Sequence, residues 1–202
     1  MRRAAVLAAT LLLAGCGQTK DEGISGGGKV IGRTVTVYSL TNDPGGVNRS
    51  FVDGEKLALS DAGGKAGDFA VNFSSLDLGT DEDAQAETSR RAINDPQIIA
   101  TIADATRVTV PLFNAAGILQ VAPSGDPSLL DNPNELPSGK PTVGRLEGDV
   151  PGDFATRYEA EFKRAPDQNA ENGYRAMQAV IAAIKTAGAA GNDRTRVIDS
   201  YL

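Results

Sequence analysis

The side chains that carry most enzyme chemistry are scarce in this sequence. Its 202 residues include no His, no Trp and a single Cys, Cys16. This composition removes His-based triads, Cys–His nucleophile pairs, disulfides and most metal sites. Carboxylates remain as acid–base candidates, but no pair of them has a distinctive spacing. We therefore expect that the protein is not an enzyme and that it uses no cofactor.

Two acidic stretches are candidates for cation binding. Residues 81–83 are three adjacent acids at the start of a predicted helix, where the helix dipole favours each carboxylate by about 0.3–1 kcal/mol. Residues 167–171 resemble a calcium loop, but Gly173 stands at its seventh position instead of the sixth, and Gln178 replaces the closing Glu. We interpret the first stretch as helix capping and predict no metal site in either.

Length and charge narrow the class further. A chain of 202 residues is long enough for one domain with a full core. The formal net charge is -6, and the 20 Lys and Arg residues are scattered along the chain instead of clustered. We expect no nucleic-acid partner.

A strand, a helix and a second strand follow one another closely in the middle of the chain. Residues 98–102 and 118–122 are short, apolar, β-branched runs of the kind found in parallel strands that are buried on both faces. Between them, residues 106–116 have helical spacing, and Gly117 is suited to end the helix with a positive φ. The pattern predicts one right-handed β-α-β unit.

This unit determines where a ligand would bind. Ligands of parallel sheets lie beyond the carboxyl ends of the strands, so we expect a site at loops 103–106 and 123–126. The helix between the strands is predicted to bury Val108, Leu112 and one residue of 115–116 against the sheet.

The rest of the chain extends the pattern. Strands are predicted over 30–40 and 69–76, helices over about 51–62 and 81–93, and an edge or crossover strand over 142–146. After residue 153 the pattern is helical only. Three apolar stripes in that region are interpreted as core: Phe154, Tyr158 and Phe162; Tyr174, Met177, Val180, Ile181 and Ile184; Val197, Ile198, Tyr201 and Leu202. The predicted fold class is α/β, with a single doubly wound, Rossmann-like parallel sheet in α-β-α layers.

The N-terminus has the pattern of an export signal. Two arginines precede the apolar residues 4–13, which are too few to span a bilayer, and small residues stand before Cys16. The pattern resembles the bacterial lipoprotein signal, in which the chain is cleaved before the cysteine and lipid is attached to it. We predict a signal peptide over 1–15, a lipid-anchored Cys16 and a flexible tether over 16–29. An ordinary secretory signal is the alternative.

Several segments together resemble the type I periplasmic solute-binding proteins, specifically the branched-chain amino acid (Leu/Ile/Val) receptors of ABC importers. The matching segments are VYSL (37–40), GEKLAL (54–59), NDP (94–96), PLFNAAGI (111–118) with Pro123-Ser124, and GYRAM (173–177) with AIKTAG (183–188). The resemblance implies the fold of the first lobe of such a receptor and a lipoprotein at the cell membrane, facing the periplasm or cell exterior. A small amino acid ligand and an ABC permease are the implied partners.

The chain also departs from this family in two places. The family's ligand loop after the third strand carries Gly and Ser, whereas here Ala103 and Asp104 run into Thr106 about one helical turn early. In the second departure, the chain leaves the predicted lobe (30–146) and enters the helical region over 147–202 directly through residues 147–152. The helices of this region return to the same lobe. The second lobe of the family is missing from this arrangement, so another chain or a homodimer partner would have to supply it.

The resemblance implies ligand-binding residues at the strand ends. These are Tyr38, Ser39, Leu40, Asp77, Thr106, Ser124 and Asp126. Ser124 matches a family position that contacts the ligand, whereas Asp126 stands where a Thr is usual and would oppose the ligand's own carboxylate. The alternative is ordinary turn chemistry, because both residues lie beside prolines.

Two functions follow from these observations. The first is a substrate-binding lipoprotein of a branched-chain amino acid type ABC import system, or a reduced paralogue of one. With a short loop and one lobe, it would bind free leucine, isoleucine and valine weakly, because the charged ligand ends stay in water. The second is a surface lipoprotein outside transport that uses the lobe as an interaction module and binds no small molecule.

Overall fold

The computed structural model of the chain describes residues 28–42, 48–126, 128–131 and 136–202. Cys16, the predicted signal peptide and the predicted tether up to residue 27 lie outside the described residues. Among the described residues, no helix has both the length and the apolar character needed to cross a bilayer.

The described residues form six strands and seven α-helices. The strands are β1 (Thr34–Thr41), β2 (Lys65–Ala66), β3 (Phe69–Asp77), β4 (Ile98–Ala103), β5 (Leu119–Ala122) and β6 (Val143–Arg145). The helices are α1 (Arg49–Asp61), α2 (Glu82–Ile93), α3 (Thr109–Ala115), α4 (Ser128–Asp131), α5 (Phe154–Phe162), α6 (Gln168–Thr186) and α7 (Arg194–Tyr201).

The strands form one sheet in the order β2-β3-β1-β4-β5-β6. Every pairing is parallel except that of the short β2 with β3. All six residues of β4 are buried, which explains its uninterrupted apolar sequence. The strand order reverses between β1 and β4, and a crevice at such a switch point is where open α/β sheets bind ligands. The predicted doubly wound parallel sheet is confirmed.

Helices cover both faces of this sheet. On one face, α1, α5, α6 and α7 enclose the larger core, which includes Val37, Phe51, Phe154 and Met177. On the other face, α2 and α3 enclose a smaller core around Leu40, Leu78, Phe113 and Ile118. The α-β-α layering follows, since successive residues of β1 point alternately into the two cores.

The contact between α1 and α6 is a backbone contact. Gly54 of α1 faces Ala170 and Tyr174 of α6, and a Cβ at Gly54 would overlap the carbonyl oxygen of Ala170. Gly173 of α6 in turn faces Phe51, whose carbonyl carbon would lie 2.7 Å from a Cβ. The two glycines therefore let the helices approach each other more closely than any other residue would permit.

Two predicted elements needed correction at their starts. The first strand begins at Thr34 instead of residue 30, because the N–H of Val30 bonds to the carbonyl of Asn192 (2.7 Å) and Gly32 turns the chain at φ 92°. The central helix begins at Thr109 instead of residue 106.

The face predicted for α3 was right only in part. Ala116 is buried as predicted, but the helix buries Val110 and Phe113, while Val108 and Leu112 are half-buried. Polar anchors set this orientation: Asn114 is completely buried, and its side-chain amide donates to the carbonyl of Lys140 at 2.7 Å. Because apolar spacing alone cannot reveal such a buried polar residue, the sequence pattern predicted only part of the buried face.

Candidate ligand-binding site

A cavity of about 140 Å³ lies at the carboxyl edge of the sheet, where β1, β4 and β5 end. It is lined from the strand ends by Leu40, Thr41, Asn42, Ile102, Ala103, Asp104, Pro123 and Ser124, and from the helices by Asn48, Phe51, Asn169 and Asn172. The helix residues come from the starts of α1 and α6. We call this the edge cavity. It occupies the switch-point crevice, so the fold itself places it where a ligand is expected.

Two loops at this edge are joined by a single backbone bridge. Ala105 pairs with Gly125 in parallel fashion, and its N–H donates to the carbonyl of Ser124 at 2.9 Å. Gly125 has φ 133°, and a Cβ there would lie 2.6 Å from the backbone nitrogen of Ala105. Only glycine fits this position without strain, so Gly125 makes the bridge possible.

The bridge places Asp104 next to Ser124. The hydroxyl of Ser124 donates to Oδ1 of Asp104 at 2.7 Å. Among the described residues, Ser124 is the one hydrogen-bond donor to this side chain, and Asp104 is half-buried. A carboxylate held by one hydroxyl in a partly closed cavity retains capacity for a further donor from a ligand.

The backbone beneath Asp104 is fixed from the interior of the sheet. The buried side-chain amide of Gln120 donates to the carbonyls of Ala103 (3.1 Å) and Asp104 (3.0 Å). The hydroxyl of Thr109 also donates to the Asp104 carbonyl, at 2.8 Å. These contacts end β4 at a defined place, although the loop that follows is short.

Of the seven residues predicted to bind ligand, the edge cavity brings together Leu40 and Ser124. Leu40 is completely buried and contributes to the floor, and Ser124 is exposed at the rim. Asp77 ends β3, and its carboxylate accepts the N–H of Gly79 at 2.9 Å. Asp126 accepts the N–H of Ser128 at 2.9 Å and its hydroxyl at 2.7 Å, and these bonds lower the pKa of Asp126.

Asp77 and Asp126 are not among the residues that line the cavity, and the same is true of the other three predicted residues. Tyr38 points to the α2 and α3 side, where its hydroxyl donates to Asp95 at 3.2 Å; its pKa is raised by burial and by Asp95. Thr106 starts the turn into α3, and its hydroxyl accepts the N–H of Thr109 at 3.0 Å. Ser39 is completely buried beneath α1, next to Glu55.

Glu55 is a charged residue type in the core. It is completely buried, and neither carboxyl oxygen has a hydrogen-bond partner among the described residues. Burial raises the pKa of Glu55 well above its usual range, and the nearby Ser39 and Lys56 counteract only part of this. The Ser39 hydroxyl lies close enough to act on that pKa without forming a hydrogen bond of ordinary geometry. Burial therefore favours the neutral carboxylic acid over the carboxylate at this position.

Sequence reasoning missed the contributions of α1 and α6 to the edge cavity. Asn169 was considered only as part of a calcium loop, whereas the structure places it in the cavity lining and uses Asp167 as the N-cap of α6. The carboxylate of Asp167 accepts the N–H of Ala170 at 2.8 Å and the hydroxyl of Ser50 at 2.9 Å. An Asp three residues before an Ala-rich apolar stripe was the available signal for this helix start.

A larger groove of about 470 Å³ lies elsewhere, on the outer side of α1 and α6. Ala58, Asp61, Gln178 and Lys185 are among its lining residues, together with the turn at residue 147. None of the described residues that line this groove belongs to a strand, and the groove lies away from the switch point between β1 and β4. We therefore take the smaller edge cavity as the candidate site.

The sheet, its switch point and the edge cavity together define one lobe of the type I periplasmic binding protein fold. The chain is similar in structure to LivK, a leucine binding protein of Thermotoga maritima, with a TM-score of 0.64 and 11% identity over 83% of this chain and 86% of that one. It is also similar to LivJ of Streptococcus pneumoniae, a branched-chain amino acid transporter substrate binding protein solved with isoleucine (TM-score 0.62, 10% identity, 83% and 87% covered).

A third similar structure is an ABC transporter substrate-binding protein of Desulfitobacterium hafniense solved with Leu (TM-score 0.62, 10% identity, 83% and 88% covered). Identities this low establish a common fold, which confirms the fold implied by the sequence resemblance. No protein-family model and no curated protein matches the chain.

Proposed function

We propose that the chain is the ligand-binding lobe of a substrate-binding lipoprotein in an ABC import system of the branched-chain amino acid type. The observation that carries this proposal is the edge cavity, which lies at the switch point of a fold whose structural relatives are named as transporter binding proteins. The alternative of an interaction module without a ligand has no comparable feature in its favour.

The edge cavity combines an apolar floor with polar groups at its rim. Leu40, Phe51 and Ile102 supply the floor, and Asp104 and Ser124 stand at the rim. Apolar contacts would accommodate an aliphatic ligand chain, while the rim would bind its polar end. Pockets for drug-sized ligands measure about 300–1,000 Å³, so a cavity of about 140 Å³ suits a smaller molecule.

One lobe holds such a ligand from one side. In a closed two-lobed site, hydrogen bonds to the charged ligand ends act in a low dielectric, whereas here those ends stay in water. Each charge-assisted hydrogen bond contributes about 1.5–3 kcal/mol net, so losing two or three moves a micromolar affinity toward millimolar. We propose that a second lobe, from another chain or a second copy of this one, completes the site beside an ABC permease.

Titration calorimetry on the full-length protein tests this function. We expect weak, saturable binding of leucine, isoleucine and valine, with dissociation constants in the millimolar range. If no ligand with a branched aliphatic chain produces saturable heat, whatever its polar end, the proposed function is wrong.

Attachment through Cys16 is a separate part of the proposal. The Cys16→Ser protein, expressed in a bacterial host that lipidates exported proteins, should leave the membrane fraction during a high-salt wash, whereas the unaltered protein should stay in it. Retention of Cys16→Ser after the wash would show that the cysteine is not the anchor.

A further inference from the structure

The described residues that line the edge cavity include a single carboxylate and no basic side chain. Among its described residues, Asp104 is the only acidic or basic one; the others are apolar or carry neutral amide and hydroxyl groups. Asp104 is also oriented, because the Ser124 hydroxyl bonds to its Oδ1 at 2.7 Å. A ligand that enters this cavity therefore meets a fixed negative charge.

Two arginines close in sequence to lining residues, Arg107 and Arg175, contact other groups, while Arg49 is exposed beside the lining residue Asn48. Arg107 lines a different groove together with Asp126. Arg175 lines the larger groove on the outer side of α6, and its guanidinium donates to the Asn172 side chain at 3.4 Å. None of the three arginines is among the residues that line the edge cavity.

The start of α6 does not offset the charge of Asp104. A helix N-terminus attracts anions through its unpaired N–H groups. At α6, the carboxylate of Asp167 already accepts the N–H of Ala170 at 2.8 Å. Among the described lining residues, no cation compensates the charge that Asp104 would present to a ligand carboxylate.

From this charge distribution we propose that the edge cavity selects small aliphatic amines over amino acids, with the ligand ammonium paired to Asp104. The proposal rests on the proposed function and names its ligand class. Phe51 and Ile102 contact the hydrocarbon chain, and the side-chain oxygen of Asn169 provides a further acceptor for the ammonium protons. A zwitterionic amino acid would bring the same ammonium but add a carboxylate that Asp104 repels.

Three ligands with one hydrocarbon chain separate the contributions. Leucine carries both charged groups, isoamylamine keeps the ammonium and lacks the carboxylate, and isocaproate keeps the carboxylate and lacks the ammonium. Calorimetric titration of the full-length protein at neutral pH should give isoamylamine an affinity at least tenfold higher than leucine, with isocaproate the weakest. Raising the salt concentration should weaken amine binding.

Variants then assign the preference to one carboxylate. Asp104→Asn should lower the affinity for isoamylamine at least tenfold and remove its advantage over leucine. The matched control is Asp83→Asn, which removes a carboxylate at the exposed start of α2, outside the cavity lining, and should change nothing. Ser124→Ala keeps the Asp104 carboxylate but removes the hydroxyl that orients it. This variant should weaken amine binding a few-fold while preserving the order of the three ligands.

The outcomes distinguish the proposals. If leucine binds as tightly as isoamylamine, or isocaproate binds best, the amine preference is wrong while the proposed binding function stands. Absence of binding by all three ligands overturns both. If Asp104→Asn, confirmed as folded by circular dichroism, retains the full amine preference, the assignment to Asp104 is wrong.

Discussion

The α1–α6 contact and the loops at the carboxyl edge both depend on glycine, but for different purposes. Gly54 and Gly173 bring two helix backbones together, and both glycines are buried. Gly125 joins two exposed loops and leaves a cavity beside them. The first region completes its contacts within the protein, whereas the second leaves a half-buried carboxylate with a single donor. The difference separates the residues that stabilise the fold from those available to a ligand.

The largest expected effect is on the α1–α6 contact. Gly173→Ala places a Cβ against the backbone of Phe51, and no side-chain rotation can relieve this overlap. Overpacking typically costs about 1–3 kcal/mol and occasionally more, while the better helix propensity of Ala returns about 1 kcal/mol. Because the overlap is with backbone atoms, we expect the upper end of this cost and a net loss of about 2 kcal/mol in the free energy of unfolding, measured by urea denaturation.

Gly152→Ala is the control for this substitution, because an added Cβ there meets no atom within 4 Å. Its free energy of unfolding should stay within about 0.5 kcal/mol of the unaltered protein. A loss below about 1 kcal/mol for Gly173→Ala would mean that the helices are not in backbone contact.

The buried Glu55 provides the next test, because it sits in the same closed region. Its pKa is raised in the folded protein, so the folded state holds the proton more tightly than the unfolded state. The resulting stability is fully present below the unfolded pKa, about 4.3, and is lost as pH rises through the raised folded pKa. The free energy of unfolding should fall with pH in this window, by at most about 1.4 kcal/mol per pH unit.

Glu55→Gln should flatten this part of the pH profile, since the amide does not titrate. Glu159→Gln, an exposed change on α5, should leave the profile unaltered. Identical pH slopes for Glu55→Gln and the unaltered protein would contradict the closed, dry surroundings assigned to Glu55.

A smaller effect on stability is expected at the carboxyl edge. Gly125→Ala forces a residue with a Cβ into φ 133° and against Ala105. We expect a loss of about 1–2 kcal/mol in unfolding free energy, because the exposed loops can separate to relieve the strain. Separation would move Ser124 away from Asp104, so ligand affinity should fall more than stability does. Unchanged affinity would show that the bridge does not shape the cavity.

The sequence predicted the sheet well because its signals are local. The apolar run that forms β4 is visible in adjacent residues. Gly117, which follows the end of α3 and has φ 61°, is likewise recognisable from its residue type and position. The aromatic stripe of α5 also lies where expected, with Phe154 and Tyr158 buried in the core.

The site was less predictable because its geometry is tertiary. Glu55 lies inside a pattern typical of an amphipathic helix. Its burial follows from the packing of this helix against Ser39, which the sequence pattern does not show. Asp104 belongs to a loop that was predicted to hold a site, yet its importance depends on the bridge from Ala105 to Gly125. Tyr38 is predicted to bind ligand from its strand position, and the structure places it on the same face of β1 as Leu40 but two residues earlier in the strand, with its hydroxyl donating to Asp95.

The central claim is that ligand binds in the edge cavity and not in the larger groove outside α1 and α6. Amide chemical-shift perturbation during titration with isoamylamine tests it directly. The account predicts that the shifts cluster at Leu40, Asp104, Ser124 and Asn169, with Ala58, Gln178 and Lys185 unaffected. Shifts centred on the latter three residues, or no saturable shifts at all, would contradict it.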